Sequence, residues 1–279
     1  MNYKRLLNIS RPRFWVYVLG TFLVGLSASG NLLSLSLNEY LLAGVLFLFF
    51  TYPANILIYG VNDIFDYETD KHNPKKIEYE ELVTPTDQKK LTKHILFWVI
   101  PFVVLVLWMQ VLPAIIFGIF LLCSVFYSAW PIRAKIHPPF DIIFSSLIYI
   151  TPGVLGFLVA GGNMISWQGA IAGLLWAFAM QTYSAVPDIQ ADTTAGIKTL
   201  ATVLGAQGSL WFCGITYVLS AILAHQFIGW LAIIFASVYV GLVVYTALRP
   251  RQAFLVYKKF PWVNTVSGMI LFFYLFFGL

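Results

Sequence analysis

The feature that most constrains this chain is a series of long segments that carry almost no charge. We count nine of them, near residues 14–33, 40–61, 94–112, 113–130, 141–160, 166–187, 209–227, 229–248 and 262–279. A helix needs about 20 mostly apolar residues to cross the hydrocarbon core of a bilayer. The sequence therefore predicts an all-α integral membrane protein, with nine transmembrane helices in one bundle and a single domain over residues 1–279.

The composition excludes the common classes of soluble protein. Hydrophobic residues make up 59% of the chain and charged residues only 10%, whereas soluble domains carry about 25% charged residues. A soluble enzyme, a disordered chain and a secreted disulfide scaffold are all inconsistent with these values. Both cysteines, Cys123 and Cys213, lie inside apolar segments, where a thiol usually packs as a small hydrophobic group.

The distribution of basic residues predicts the orientation in the membrane. With nine spans, all 17 Lys and Arg residues fall on the loops of one face, and the opposite face has none. The positive-inside rule places the basic face in the cytoplasm. We therefore expect a cell-membrane protein with a cytoplasmic N-terminus and its C-terminus on the opposite face. The net charge of +5 then reflects orientation, and no nucleic-acid partner is expected.

A first group of acidic residues follows directly on the second apolar segment. It consists of Asp63, Asp66 and Asp70, with Asn62 beside them. At about 100° per residue, the three carboxylates fall within roughly 60° of one another on a helix. A carboxylate at the bilayer centre costs about 2.5–3.5 kcal/mol on insertion scales. We therefore expect this group to face a polar cavity near the interface and to hold a cation.

A second group follows the sixth segment. Asp188 and Asp192 are spaced four residues apart, so they share one face of a helix, and Gly196, Lys198 and Thr199 come soon after them. Four other acids of the same face, Glu78, Glu80, Glu81 and Asp87, are interpreted as ordinary solvated residues of a loop.

The spacing also indicates an internal repeat. Arg11-Pro-Arg-Phe14 precedes the first acidic group and His137-Pro-Pro-Phe140 precedes the second, at nearly equal distances along the chain. Two pseudo-repeated four-helix units plus a ninth helix would place the acidic groups opposite each other at the cytoplasmic side. The active site is therefore expected there.

Two opposed sets of carboxylates suit Mg²⁺, which binds one or two carboxylates and completes its octahedron with water and phosphate oxygens. The scattered histidines and cysteines form no pattern typical of zinc or haem. Basic side chains near metal-binding acids are typical of a diphosphate site. The predicted diphosphate-binding residues are Asn62, Arg133, Lys135, Lys198 and Arg11.

An apolar chamber beneath this polar rim fits a hydrophobic, lipid-like substrate. Aromatic rings in the chamber would stabilise a carbocation while water is excluded. Tyr127 and Tyr183 are the predicted rings.

Three motifs of this chain resemble the signatures of the UbiA superfamily of intramembrane prenyltransferases. They are Asn62-Asp63-x-x-Asp66-x-x-x-Asp70, Tyr127…Pro131-x-Arg133-x-Lys135 and Asp188-x-x-x-Asp192-x-x-x-Gly196-x-Lys198-Thr199. The resemblance implies that the Asp residues hold two Mg²⁺ ions on an isoprenyl diphosphate donor. The donor would ionise to an allylic cation, which an apolar acceptor captures.

Three further segments look like the lycopene elongase branch of that superfamily. They are Ser10-Arg-Pro-Arg-Phe-Trp15, Pro53-Ala-Asn-Ile-Leu-Ile-Tyr-Gly-Val-Asn62 and Lys71-His-Asn-Pro-Lys-Lys76. This likeness implies dimethylallyl diphosphate as donor and a carotenoid such as lycopene as acceptor, with water added to the acceptor end in some members.

Three alternatives remain at this point. The acceptor of the same reaction could be an aromatic quinone precursor. A CDP-alcohol phosphotransferase also uses spaced Asp residues in a membrane, but within one short motif, whereas Asp63 and Asp188 are far apart here. An ion-coupled transporter would place its acids near the bilayer midplane rather than at one interface.

Overall fold

The computed structural model of the chain describes residues 1–71, 80–164 and 166–278. Its regular secondary structure is helical over these ranges, with no strand. The motif residues Lys75 and Lys76 lie outside the described residues. The helices are α1 (Tyr3–Ile9), α2 (Thr21–Ala28), α3 (Leu37–Phe50), α4 (Tyr52–Phe65), α5 (Tyr67–Asp70), α6 (Pro85–Val103), α7 (Val111–Phe126), α8 (Phe140–Val159), α9 (Trp167–Ala185), α10 (Ile189–Thr194), α11 (Leu200–Ile228), α12 (Trp230–Leu248), α13 (Ala253–Tyr257) and α14 (Phe260–Phe277).

Seven helical segments of the described chain are long and apolar enough to cross a membrane. They are Leu37–Phe65, Pro85–Trp108, Phe140–Val159, Trp167–Thr194, Leu200–Ile228, Trp230–Leu248 and Phe260–Phe277. Two shorter apolar helices, Val16–Ala28 and Val111–Phe126, coincide with the predicted first and fourth spans. The protein is therefore an integral membrane protein, as its composition indicated, whereas the count of nine spans stays a prediction.

The structure divides neighbouring spans close to the positions that the sequence predicts. Gly229 separates α11 from α12 with a positive φ of 50°, a backbone conformation that favours glycine. The third and fourth predicted spans, divided at Leu112–Pro113 in the sequence, are separated slightly earlier, at Met109–Gln110, and Pro113 lies in the first turn of α7. α11 starts at Leu200, where Thr199 forms a capping box with Thr202. Gly205 has non-helical dihedral angles, φ 68° and ψ 173°, so a kink separates this first turn from the apolar part of the helix, which was predicted from residue 209.

The second predicted span is interrupted rather than straight. Thr51 has non-helical dihedral angles and ends α3, and α4 starts at Tyr52 with Pro53 in its first turn. The Asn55 side chain donates to the carbonyl oxygens of Phe50 at 3.0 Å and Thr51 at 2.5 Å. These bonds satisfy backbone acceptors that the interruption would otherwise leave buried and unpaired.

α2 and α8 approach each other until their backbones touch. A Cβ atom added at Gly25 would lie 1.9 Å from the carbonyl oxygen of Gly153, and one at Gly156 would lie 2.3 Å from that of Phe22. Small residues of this kind let helices pack closely in lipid, where dispersion contacts drive association. The contact fixes α2, and with it the preceding segment that carries Tyr17, against α8; Tyr17 and the start of α8 both line the cavity described below.

The buried side chains form two apolar cores on either side of this contact. The first lies among α2, α3, α4, α6, α7 and α8 and includes Phe22, Phe49 and Phe120. The second lies among α9, α11, α12 and α14 and includes Met180, Tyr217 and Phe260. The Tyr149 ring packs against both cores. Cys123 and Cys213 are buried, free thiols, as their apolar context predicted.

Candidate active site

Both acidic groups line one cavity at one end of the bundle. The cavity has a volume of about 210 Å³. Asp66 and Asp70 reach it from the end of α4 and from α5, and Asp188 and Asp192 reach it from the turn after α9 and from α10. Sequence spacing alone predicted that the two groups face each other, and the structure places them around a common space.

Asp63 lies just behind the cavity wall, where Arg11 neutralises it. Asp63 is 2% exposed, and its Oδ1 atom accepts a hydrogen bond of 2.9 Å from Nη2 of Arg11. The same Arg11 nitrogen lies 2.8 Å from Oε2 of Glu80, and the guanidinium stands 4.6 Å from the centre of the Tyr59 ring. Burial alone would lower the pKa of Arg11, but the carboxylates of Glu80 and Asp63 raise it above its ordinary value.

Glu80 is therefore not an ordinary loop acid, and the sequence interpretation was wrong on this residue. Its side chain is 6% exposed, it lines the cavity, and its second carboxylate oxygen lies 3.8 Å from Arg13. The motif of two arginines around Pro12 could have signalled a need for a buried counterion.

Asp66 is held by the loop that follows α7. Lys135 forms an ion pair and hydrogen bond with its Oδ2 atom, and Arg133 lies 3.7 Å from Oδ1. The Asn62 amide donates to Asp66 Oδ2 at 2.6 Å and to the Ser128 hydroxyl at 3.0 Å. Predicted members of two separate motifs thus meet at one carboxylate.

The local backbone differs from the single helix that the spacing of the first motif predicted. α4 ends at Phe65, and Asp66 adopts φ −107° and ψ 6° before α5 begins. The backbone N–H of Asp66 still donates to Asn62, and that of Asp70 donates to Asp66. The interruption falls at the residue that pairs with Lys135; Asp66 and Asp70 line the cavity, whereas Asp63 lies behind its wall.

The residue set fits a cation that arrives together with phosphate. Over residues 1–71, 80–164 and 166–278, no three His, Cys, Asp or Glu side chains are gathered closely enough to hold a metal ion alone. Mg²⁺ commonly uses only one or two carboxylates and takes further ligands from water and phosphate. Several carboxylates line this cavity, and Lys135 pairs with one of them, Asp66, which is a suitable environment for a metal-bound diphosphate.

The rest of the cavity wall is largely aromatic and apolar. Phe14, Tyr17 and Tyr149 form a connected group, with ring centres 5.7 Å apart for the first pair and 5.6 Å apart for Tyr17 and Tyr149. Tyr127, a predicted ring, lines the cavity and accepts a hydrogen bond of 3.0 Å from the Gln181 amide. Gln181 is a cavity residue that the sequence did not single out.

Three predicted residues lie elsewhere than expected. Tyr183 does not line the cavity: its hydroxyl group pairs with that of Thr246, and its ring packs 4.6 Å from that of Phe260. Lys198 lies on the exposed turn between α10 and α11, outside the cavity lining. Arg133 is also outside the lining but adjoins it through Asp66.

Comparison with known proteins identifies the family of this chain. The sequence pattern of the UbiA prenyltransferase family matches residues 17–236. A lycopene elongase/hydratase from Haloarcula japonica is 36% identical over 95% of this chain and 88% of its own length. One from Haloferax volcanii is 35% identical over 94% of this chain and 85% of its own length.

The fold matches as well. A UbiA homologue from Archaeoglobus fulgidus, solved with GPP and Mg²⁺, superposes with a TM-score of 0.73 at 17% identity, covering 98% of this chain and 99% of the homologue. The buried acidic cavity, the helical fold and the sequence match agree, and the chain belongs to the UbiA prenyltransferase family.

Proposed function

We propose that this prenyltransferase moves a dimethylallyl group from its diphosphate to a carotenoid such as lycopene, in a Mg²⁺-dependent reaction through an allylic carbocation. The observation that carries this proposal is a single cavity with carboxylates and Lys135 at one part of its wall and tyrosine rings at another. The names of the two haloarchaeal relatives support the acceptor. An Archaeoglobus fulgidus homologue solved with DMAPP and Mg²⁺ has the same fold.

The diphosphate would lie between the two acidic groups. Two Mg²⁺ ions would be held there by Asp63, Asp66, Asp70, Asp188 and Asp192 and would neutralise the charge of the leaving diphosphate. Lys135 would exchange its bond to Asp66 for one to a phosphate oxygen, and Asn62 would orient Asp66. Arg11, buried between Asp63 and Glu80, would hold the first acidic group in place.

The prenyl group would lie against the aromatic wall. The faces of Tyr127 and Tyr149 would present negative electrostatic potential to an allylic cation, whereas the Tyr59 ring already contacts the Arg11 guanidinium. The aromatic and aliphatic side chains of this part of the wall offer water few hydrogen-bond partners, so the cation would survive until the acceptor reacts.

The membrane topology is part of the same proposal. The nine apolar segments would span the cell membrane as two four-helix units plus α14, in a single domain, with the cavity at the cytoplasmic side and the C-terminus outside. Ion pairs that join Arg5 to Asp87, Arg11 to Asp63 and Lys135 to Asp66 support this arrangement, because they gather the charged loops at one end of the bundle.

The decisive experiment is expression of the chain in a lycopene-producing host, followed by mass analysis of the pigments. We expect carotenoids that are heavier by one or two five-carbon units, and their formation in isolated membranes should stop with EDTA and resume with Mg²⁺. Asp188→Asn should abolish the products, whereas Glu68→Gln, at a side chain that is 79% exposed, serves as the matched acidic control.

If prenylated products form only from an aromatic quinone precursor, that precursor is the acceptor and the carotenoid is not. Turnover without a divalent metal would refute the mechanism. The family membership leaves a CDP-alcohol phosphotransferase or an ion-coupled transporter without support.

A further inference from the structure

One buried carboxylate in the cavity wall belongs to neither acidic group. Asp141 lies in the first turn of α8 and is 5% exposed. Its Oδ2 atom accepts a hydrogen bond of 2.6 Å from the backbone N–H of Leu200, the first residue of α11. Within the described chain its Oδ1 atom is buried and has no hydrogen-bond partner.

Asp141 stands at the start of the α8 face that lines the cavity. α8 lines the cavity with Asp141, Ile142, Ser145, Ile148 and Tyr149, a spacing that forms one helical face. This face leads from a carboxylate at the start of the helix to an aromatic ring two turns further. The Ser145 hydroxyl donates to the backbone carbonyl oxygens of Asp141 and Ile142 rather than to the carboxylate.

A buried oxygen without a donor is costly, and such groups in native proteins commonly mark a function. The Oδ1 atom of Asp66 is likewise buried without a hydrogen-bond partner in the described chain. Asp66, however, carries Lys135 and Asn62 on Oδ2 and has Arg133 3.7 Å from Oδ1, and these neighbouring cations make it a poor base. The hydrogen bond from Leu200 to Oδ2 fixes the carboxyl group of Asp141. No hydrogen-bond donor of the described chain is bonded to its Oδ1 atom. It is therefore well placed to accept a proton.

We propose that Asp141 is the general base that ends the reaction, an inference that rests on the proposed prenyl transfer. The C–O bond of the donor breaks, and its electron pair leaves with diphosphate. The π electrons of an acceptor double bond form the new C–C bond and leave a cation on the adjacent carbon. A neighbouring C–H bond supplies the electrons for a new double bond, and its proton goes to Oδ1 of Asp141. The products are a prenylated alkene, diphosphate and one proton, which the carboxyl group later returns to water.

The test compares Asp141→Asn with Asp141→Ala and with Ser146→Ala, a buried polar neighbour on α8 outside the cavity lining. In Asp141→Asn the amide oxygen can still accept the bond from Leu200, so the melting temperature in detergent should match the wild type. The rise in melting temperature caused by Mg²⁺ and inorganic pyrophosphate should also be unchanged. Alkene formation should fall about 100-fold or more, within the range of general-base effects. Diphosphate released per prenylated alkene should rise above one, because water would capture the cation left after C–C bond formation and give a prenylated alcohol instead.

A structural role predicts a different pattern. If Asp141 only fixes Leu200, Asp141→Asn will turn over like the wild type and Asp141→Ala alone will lose stability and activity, which overturns the inference but not the proposed function. Loss of the pyrophosphate effect in Asp141→Asn would also overturn it, by assigning the residue to donor binding. A wild-type protein that prenylates neither lycopene nor a quinone precursor would overturn both proposals.

Discussion

Replacing Arg11 by glutamine removes the cation that neutralises Asp63, and we expect a large loss of stability. The two charges are 2.9 Å apart, with side-chain exposures of 10% and 1%. At an effective dielectric constant of 20 their direct attraction is about 6 kcal/mol. Breaking a buried pair from one side costs about 3–5 kcal/mol. Glutamine can still donate one hydrogen bond, so we expect a loss near the lower limit, about 3 kcal/mol.

The assay is thermal unfolding of the purified protein in detergent, without metal. With about 2–4 °C per kcal/mol for chains of 150–250 residues, Arg11→Gln should lower the melting temperature by roughly 6–12 °C. Asp63→Asn should also destabilise, because it leaves Arg11 with one fewer counterion. In the double variant the second change should cost much less than it does alone, since the two residues share one interaction.

The control is Lys71→Gln, which removes an ion pair to Glu68 with side-chain exposures of 36% and 79%. Solvent screening leaves little net stability in such a pair, so no measurable change is expected. The reasoning fails if Arg11→Gln melts like the wild type, or if the effects of Arg11→Gln and Asp63→Asn are simply additive.

Two further predictions follow from contacts described above. Gly25→Ala should lower the melting temperature, because its Cβ would lie 1.9 Å from a backbone oxygen and overpacking costs about 1–3 kcal/mol. Gly44→Ala is the control, since a Cβ there would have nothing within 4 Å. Equal melting temperatures of the two variants would contradict the backbone contact. Lys135→Gln should raise the KM for the diphosphate donor about 10-fold or more, the value of one charge-assisted hydrogen bond. Lys198→Gln should raise this KM less in the same steady-state assay. A larger effect of Lys198→Gln would mean that Lys198, and not Lys135, binds the diphosphate.

The membrane class and the meeting of the two acidic groups could be predicted, because both depend on local spacing. Segments free of charge mark the spans, and acids at the ends of the second and sixth segments must come to the same interface. The bond between Lys135 and Asp66 also agrees with the predicted grouping of the motifs.

Other features depend on helix phase and tertiary contacts, which spacing does not reveal. Gln181, Ser184 and Ala185 line the cavity from α9, and Tyr183 is two residues from Gln181, a rotation of about 200° that turns it to the opposite side of the helix. Glu80 meets Arg11 although 69 positions separate them along the chain, and no local pattern specifies that contact.

The backbone contact at Gly25 and Gly153 has a consequence for how the protein tolerates mutation. α2 follows the segment that carries Arg11, and α8 begins beside Asp141, so the contact sets the distance between two parts of the site through main-chain atoms. The many side chains on the lipid-facing surface can change without altering that distance, provided the two glycines stay. Sequence drift across most of the bundle would then leave the reaction geometry intact, and selection on that geometry would be concentrated in a few residues without side chains.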